Sequence, residues 1–312
     1  MTIDQDRRAA LLAAKLGALV RARWGDVGDG AVAGGFPEGA TLVDGDRAWV
    51  LATADADRRL GAALAVAGRA GAAELHLLVD DEDPAAGAVA ARRAACFATP
   101  PSVWRVSGTE LAPVEPAAPA DDPAPPPAAE LYRPVLAEAG LAPVVEGGHL
   151  IGELRGLEVA RVVVDDDGSA RLEAGVGRFD REVASMMFAE LGEVDSLARA
   201  VALVAEHRRP DAPRHPVNQL VPERWLRSVL IEHPELVGAR ELAPVGSAVP
   251  RANLREAGVA SAVGVDGSGA PVVVTCSTGV DLEVVPGAAD DRLAHDPEAR
   301  SIVAVPARDA LA

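Results

Sequence analysis

Lysine is almost absent from this 312-residue chain: Lys15 stands alone, and arginine carries the rest of the positive charge. A phosphate loop of the Gly-Lys-Ser/Thr type therefore does not exist, which removes the P-loop nucleotide hydrolases. A Schiff-base enzyme would have to use Lys15. Cysteine is nearly as scarce. Cys96 and Cys276 are far apart, too few for a cysteine-rich zinc site or a disulfide framework, which points to a reducing, cytoplasmic location. Aromatic residues make up 3% of a chain that is 49% hydrophobic, so the core is expected to rest on small aliphatic contacts. Long apolar runs are missing as well. The N-terminal stretch opens with acids, Lys15 interrupts its apolar run, and no segment has the length to span a bilayer. The six histidines show no HxxxH or HxH spacing, so a zinc site from sequence-local ligands is not expected.

Acid is abundant. The 47 Asp and Glu outweigh 30 Lys and Arg, for a formal charge of −17. That balance argues against a general nucleic-acid coat or an anionic membrane surface, because both need positive potential. A local basic groove remains compatible with it.

The length suits two or three domains, and the pattern is α/β with three units. In the first, residues 1–111, a helix over 7–23 carries Leu12, Leu16, Leu19 and Val20 on one face. Gly28-x-Gly30 follows a helix where a dinucleotide fingerprint would follow a strand, so a flexible connection is expected there. A hairpin turning at Asp44-Gly45, a helix near 57–70, a strand at 74–80, a helix at 84–97 and a strand at 102–106 complete the unit. The Asp80–Asp83 run reads as a solvated turn. Residues 112–128, APVEPAAPADDPAPPPA, read as a proline-rich linker. The middle unit, 129–216, begins with a helix at 129–139. Two strands follow, joined at Asp167-Gly168, then helices near 180–190 and 195–207 with Asp195 as cap. The third unit, 217–312, has a helix from Pro222 to Glu232, a hairpin at Asp266–Gly269, a buried strand at Val272–Val274, a helix near 281–295 and a strand at 301–306. The first and third units share the order hairpin, helix, strand, and the middle unit repeats its first part. A duplication or a shared fold, built around small mixed sheets, would explain the repetition.

The third unit, with HPELVG between its first helix and its hairpin, resembles the RecB-like C-terminal domain of the PD-(D/E)xK superfamily, which has a restriction-endonuclease-like fold. The resemblance covers residues 222–306. It implies an Asp on a hairpin strand and a Glu-x-Lys at the end of the next, together binding Mg²⁺ or Mn²⁺ and activating water. Here Thr275-Cys276-Ser277 stands where Glu-x-Lys belongs, and Ser261 or a neighbour stands where the Asp belongs. Glu223 matches the helix carboxylate that some members use. In the first unit the strand over Trp49–Thr53 holds no acid. The resemblance therefore implies a degenerate active site and a non-catalytic interaction or scaffold protein, with a protein partner or self-association.

The middle unit supplies the alternative, a metal-dependent nuclease or phosphodiesterase. Glu158, Glu173, Arg178 and Asp180 are its catalytic candidates, and Glu158, Asp165 and Glu173 its metal ligands. The structural reading of these residues is outward-facing strand positions and turn formers. Cys276 is a third candidate, as a thiol ahead of a helix N-terminus, although a small buried cysteine fits the same pattern. The most basic stretch, residues 207–227, offers Arg208, Arg209, Arg214, Arg224 and Arg227 for contact with phosphate or an acidic partner. Arg208 and Arg209 also suit a helix C-terminus.

Overall fold

The computed structural model describes residues 3–120, 123–177, 192–249 and 258–310. The fold is α/β, with three sheets among the described residues. The chain divides into two compact units: one runs to Pro119 and includes Leu282–Asp290, and the other comprises Ala120–Asp281 and the residues from Asp291 onward.

Unit 1 opens with α1 (Ile3–Trp24), then β1 (Val32–Phe36), β2 (Gly39–Asp44) and β3 (Arg47–Ala52). α2 (Leu60–Ala70), β4 (Glu74–Val79), α3 (Pro84–Ala94), β5 (Ser102–Ser107) and β6 (Glu110–Pro113) follow. The six strands lie in sequence order. The central β3, β4 and β5 are parallel, and the outer pairs are antiparallel. Period-2 alternation sorts the side chains between two faces. Ala48, Val50, Ala52, Leu75, Leu77 and Val79 meet α2 and α3, whose contribution is largely alanine. Trp49, Leu51 and Leu78 meet Leu16, Leu19 and Val20 of α1. Small residues let the helices approach closely. At Gly61, the second residue of α2, a Cβ would stand 1.8 Å from the Leu282 carbonyl oxygen, so any larger residue would lift Leu282–Asp290 off this helix. The Glu283 carboxylate accepts from the Gly61 and Ala62 amides at 2.8 and 3.2 Å, capping α2 in place of a local residue. Asp290 then closes a buried triad: Arg92 grips it through Nε and Nη2 at 2.8 and 2.9 Å, and Arg93 Nε adds a bond at 2.7 Å.

Two expectations change in this unit. The glycine-rich connection holds β1, paired antiparallel with β2 from Val32↔Val43 to Phe36↔Gly39, because β2 would otherwise present an open row of amides and carbonyls. The first half of the proline-rich segment also clings to the unit. Val114 N donates to Val103 O at 3.0 Å, Ala117 N to Ala88 O at 3.0 Å, and Arg92 Nη1 to Ala118 O at 2.6 Å.

Unit 2 contains α4 (Pro127–Glu130), α5 (Arg133–Glu138), then β7 (Ala142–Glu146), β8 (His149–Leu154), β9 (Leu157–Val164) and β10 (Ala170–Ala174) as an antiparallel meander. β9 and β10 are the two strands expected from the sequence, and β7 and β8 come in addition to them. α6 (Glu193–His207) begins two residues earlier than expected, so Asp195 lies in its first turn, and the helix foreseen near 180–190 lies outside the described residues. α7 (Pro216–Gln219) and α8 (Pro222–Glu232) lead to β11 (Ala239–Val245), β12 (Ala260–Asp266) and β13 (Pro271–Cys276). α9 (Val284–His295), which joins this unit from Asp291 onward, precedes β14 (Arg300–Ala304). β11, β12 and β13 are antiparallel neighbours, and β14 runs parallel to β13. One core lies under the meander and another between α8 and the second sheet. No helix among the described residues is long and apolar enough to cross a membrane.

Candidate functional site

Unit 2 buries an unusual density of charge. It begins with a slip in the β8–β9 pairing: Gly152 opposes Ala160, but Glu153 opposes Glu158, so β9 carries one extra residue. The bulge re-phases the strand. Leu157, Val159 and Val162 turn to the core, whereas Glu158 and Arg161, three apart, pair with each other. Gly156 then sets how near α8 comes. Its φ is +76°, and a Cβ there would lie 2.3 Å from the Arg224 carbonyl group, so glycine is required for both reasons. The first turns of α8 thereby reach the meander. Arg224 donates to Glu153 Oε1 at 3.0 Å and to Glu146 Oε1 at 2.5 Å. Arg227 donates to Glu153 Oε2, to Val245 O at 2.9 Å and to Ser261 O at 3.3 Å.

These charges are mutually compensated. Burial alone would lower the Arg224 pKa, but the Glu153 and Glu146 carboxylates outweigh it and raise it. Burial would raise Glu146, and Arg224, Arg227 and Arg161 bring it below the ordinary carboxylate value. Arg161 is raised by its hydrogen bond to Glu158, which it grips through Nε and Nη2 at 2.9 and 3.0 Å.

A second centre lies at the end of β13. Ser261 and Thr275 are cross-strand neighbours. Both hydroxyls donate to Asp291 Oδ2, Thr275 at 2.8 Å, while Ser247 Oγ and Ala248 N donate to Oδ1 at 2.9 and 2.8 Å. Asp291 is fully buried, and four donors hold it. Cys276, between Thr275 and Ser277, faces the apolar core beside Val274 and Ala304. Burial pushes its thiol up to about 12, against a smaller opposing pull from Arg227. An accessible thiolate nucleophile needs the reverse on both counts.

The described middle-unit candidates do not meet at one point. Glu158 lies near the start of β9 and Asp165 just past its end, which is roughly 20 Å at the rise of an extended strand. Glu173 sits opposite Arg161 and, with Asp165, binds Arg171. A single Mg²⁺ or Mn²⁺ requires oxygens within about 2.0–2.6 Å of one ion, so this trio does not fit one. Among the described residues no group of three or more His, Cys, Asp or Glu side chains stands together as metal ligands would. Arg178 and Asp180 lie outside the described residues.

The basic stretch divides. Arg208 is 1% exposed. Its guanidinium donates to Arg155 O, Val217 O and Leu220 O at 3.0, 2.9 and 2.7 Å, and it lies 4.7 Å from the Trp225 ring centroid. Burial lowers its pKa to about 10. Arg208, Arg224 and Arg227 therefore bind the protein's own carbonyls and carboxylates, not an external phosphate, because the chain folds back over them. Arg209 and Arg214 are exposed. Glu223 is 1% exposed, and Lys15 pairs with Asp80 at 2.5 Å.

Glu146, Glu153, Arg161 and Asp291 are not among the candidates that the sequence suggests. A local signal existed for Glu153 alone: in HLIGEL it is the acid of an otherwise apolar run, where a surface strand would alternate. No family model, curated protein or solved structure matches the chain.

Proposed function

We propose that this chain is a non-catalytic interaction or scaffold protein, built on a restriction-endonuclease-like fold whose active site is degenerate. The observation that carries the proposal is the pair Ser261 and Thr275. The resemblance assigns the metal-binding acids to these positions, and both hydroxyls are spent on the buried Asp291. Phosphodiester hydrolysis on such a fold needs carboxylates open to a divalent cation and a group that handles water. Hydroxyls donating to an internal carboxylate offer neither. The engagement of Glu158 by Arg161 and of Glu173 by Arg171 supports the same reading for the middle of the chain. A protein partner or self-association is the occupation that remains, in the cytoplasm, with the formal charge of −17 disfavouring nucleic acid.

The test is direct. The purified chain is incubated with single-stranded, duplex and branched DNA and RNA, with Mg²⁺ and with Mn²⁺. No cleavage is expected. Metal-dependent cleavage that disappears in Glu158→Ala or Glu173→Ala would overturn the proposal and establish a nuclease or phosphodiesterase in the middle of the chain.

A further inference from the structure

Unit 1 gathers three of the four tryptophans of an aromatic-poor chain at one place, around His76. Trp49 and His76 are register partners on β3 and β4, with rings 5.9 Å apart and inclined by 20°. Trp104 of β5 and Trp24, the last residue of α1, complete the group. The Trp24 centroid lies 5.8 Å from Trp49, 4.8 Å from His76 and 5.6 Å from Trp104.

Its hydrogen bonds set this cluster apart from an ordinary core. Indole nitrogen is a donor and never an acceptor. The Trp104 Nε1–H therefore donates to His76 Nδ1, at 3.3 Å. In the neutral ring, which burial favours, the His76 proton consequently sits on Nε2. Among the described residues that buried Nε2–H has no hydrogen-bond partner, and the same holds for Trp49 Nε1–H. The Glu74 carboxylate stands 3.9 Å from His76 Nε2, beyond hydrogen-bond length. Two adjacent side chains, 0% and 9% exposed, thus present N–H donors without acceptors. A buried donor left without an acceptor carries its full desolvation cost, and at position 49 phenylalanine would fill the space without it.

The surroundings specify the missing acceptor. The Arg47 guanidinium lies 5.1 Å from the Trp49 ring and Arg23 lies 5.2 Å from Trp104. Arg47 approaches Asp44 no closer than 3.9 Å. Two cations at the rim favour an anionic oxygen over a neutral one. Glu74 opposes it, but that side chain is 60% exposed and screened by water. The cover is Trp24. Its ring touches all three others and is partly exposed, and from the last residue of α1 it can swing aside about its own side-chain torsions. A flat ring could replace it against His76 and Trp49.

We propose that this cluster binds a small aromatic carboxylate, whose oxygens accept from Trp49 Nε1 and His76 Nε2 and whose ring takes the place of Trp24. The site is independent of the scaffold reading above.

Benzoate is the probe, titrated into the full chain at neutral pH and followed by tryptophan fluorescence. The Trp49 indole N–H resonance is followed in parallel. A saturable fluorescence change with a downfield shift of that resonance is expected. Trp49→Phe, which keeps the ring and removes the donor, should weaken binding about tenfold or more. Trp24→Ala should tighten it, because the cover no longer competes. No saturable response at millimolar benzoate overturns the proposal, as does an unchanged affinity in Trp49→Phe. Equal binding of inorganic phosphate overturns the aromatic part, and preference for tetramethylammonium overturns the anionic part. Should Trp49→Phe not fold, the resonance shift in the unmodified chain decides.

Discussion

Removing the Glu153 carboxylate tests whether the buried charge of unit 2 is structural. Glu153 is 3% exposed and receives Arg224 and Arg227 on its two oxygens. Each is a charge-assisted bond worth about 1.5–3 kcal/mol. In Glu153→Ala the two guanidinium groups are not wholly stranded. Arg224 keeps Glu146, and Arg227 keeps the Val245 and Ser261 carbonyls. The loss should then be about 3–5 kcal/mol, the range for breaking a buried ion pair from one side. Urea unfolding followed by far-UV circular dichroism reads it, with the unit 2 transition assigned by Trp225 fluorescence in a Trp24, Trp49 and Trp104→Phe background. Glu173→Ala is the control. Its partner Arg171 is 47% exposed, so the expected loss is below about 1 kcal/mol. Equal losses for the two variants, or a Glu153 loss under about 1 kcal/mol, would refute the reading of the buried charge as structural.

Three further outcomes are expected. Cys276 should resist iodoacetamide in the native chain and react readily in urea. Because its thiol is pushed up to about 12 from 9.0, the unfolded chain releases this proton first, so its stabilising contribution is complete below pH 9 and lost between pH 9 and 12; a rapid native labelling rate would contradict this. Asp290→Ala leaves Arg92 and Arg93 buried without their carboxylate and should destabilise unit 1 by about 3–5 kcal/mol, visible as early loss of the near-UV tryptophan signal. The His76 pKa lies below its ordinary 6.5, chiefly through burial. The unfolded chain therefore takes up this proton first as pH falls through 6.5, and stability drops on acidification; His76→Phe should flatten that dependence in thermal melts from pH 7 to pH 5.

Local chemistry made several elements legible. The β2–β3 hairpin turns at Asp44-Gly45, with Gly45 at φ +59°, and Pro222 opens α8 while Pro234 follows its end. Other strands were less plain. β1 reads VAGGF, a loop composition, and becomes a strand because β2 offers it a ladder. β7 and β8 turn at Gly147-Gly148, and their residues lack regular alternation. The charged centres were harder still. Arg224 and Arg227 lie 71 and 74 residues from Glu153, so no window of sequence contains both sides of the pairing. Within its own strand such an acid signals at most its burial, as Glu153 does in HLIGEL, and never its partner. Asp291 was hidden in the same way, since its donors come from residues 16 to 44 positions earlier.

The docking of Leu282–Asp290 on unit 1 also bears on how the chain comes off the ribosome. Arg93 and Asp290 are 197 residues apart. At ordinary rates of synthesis that separation is roughly 10–40 s. For this interval α2 has no Glu283 cap, and Arg92 and Arg93 await their carboxylate. The first unit to emerge is thus among the last to be completed. Any fragment ending at the proline-rich segment would carry this unfinished state permanently.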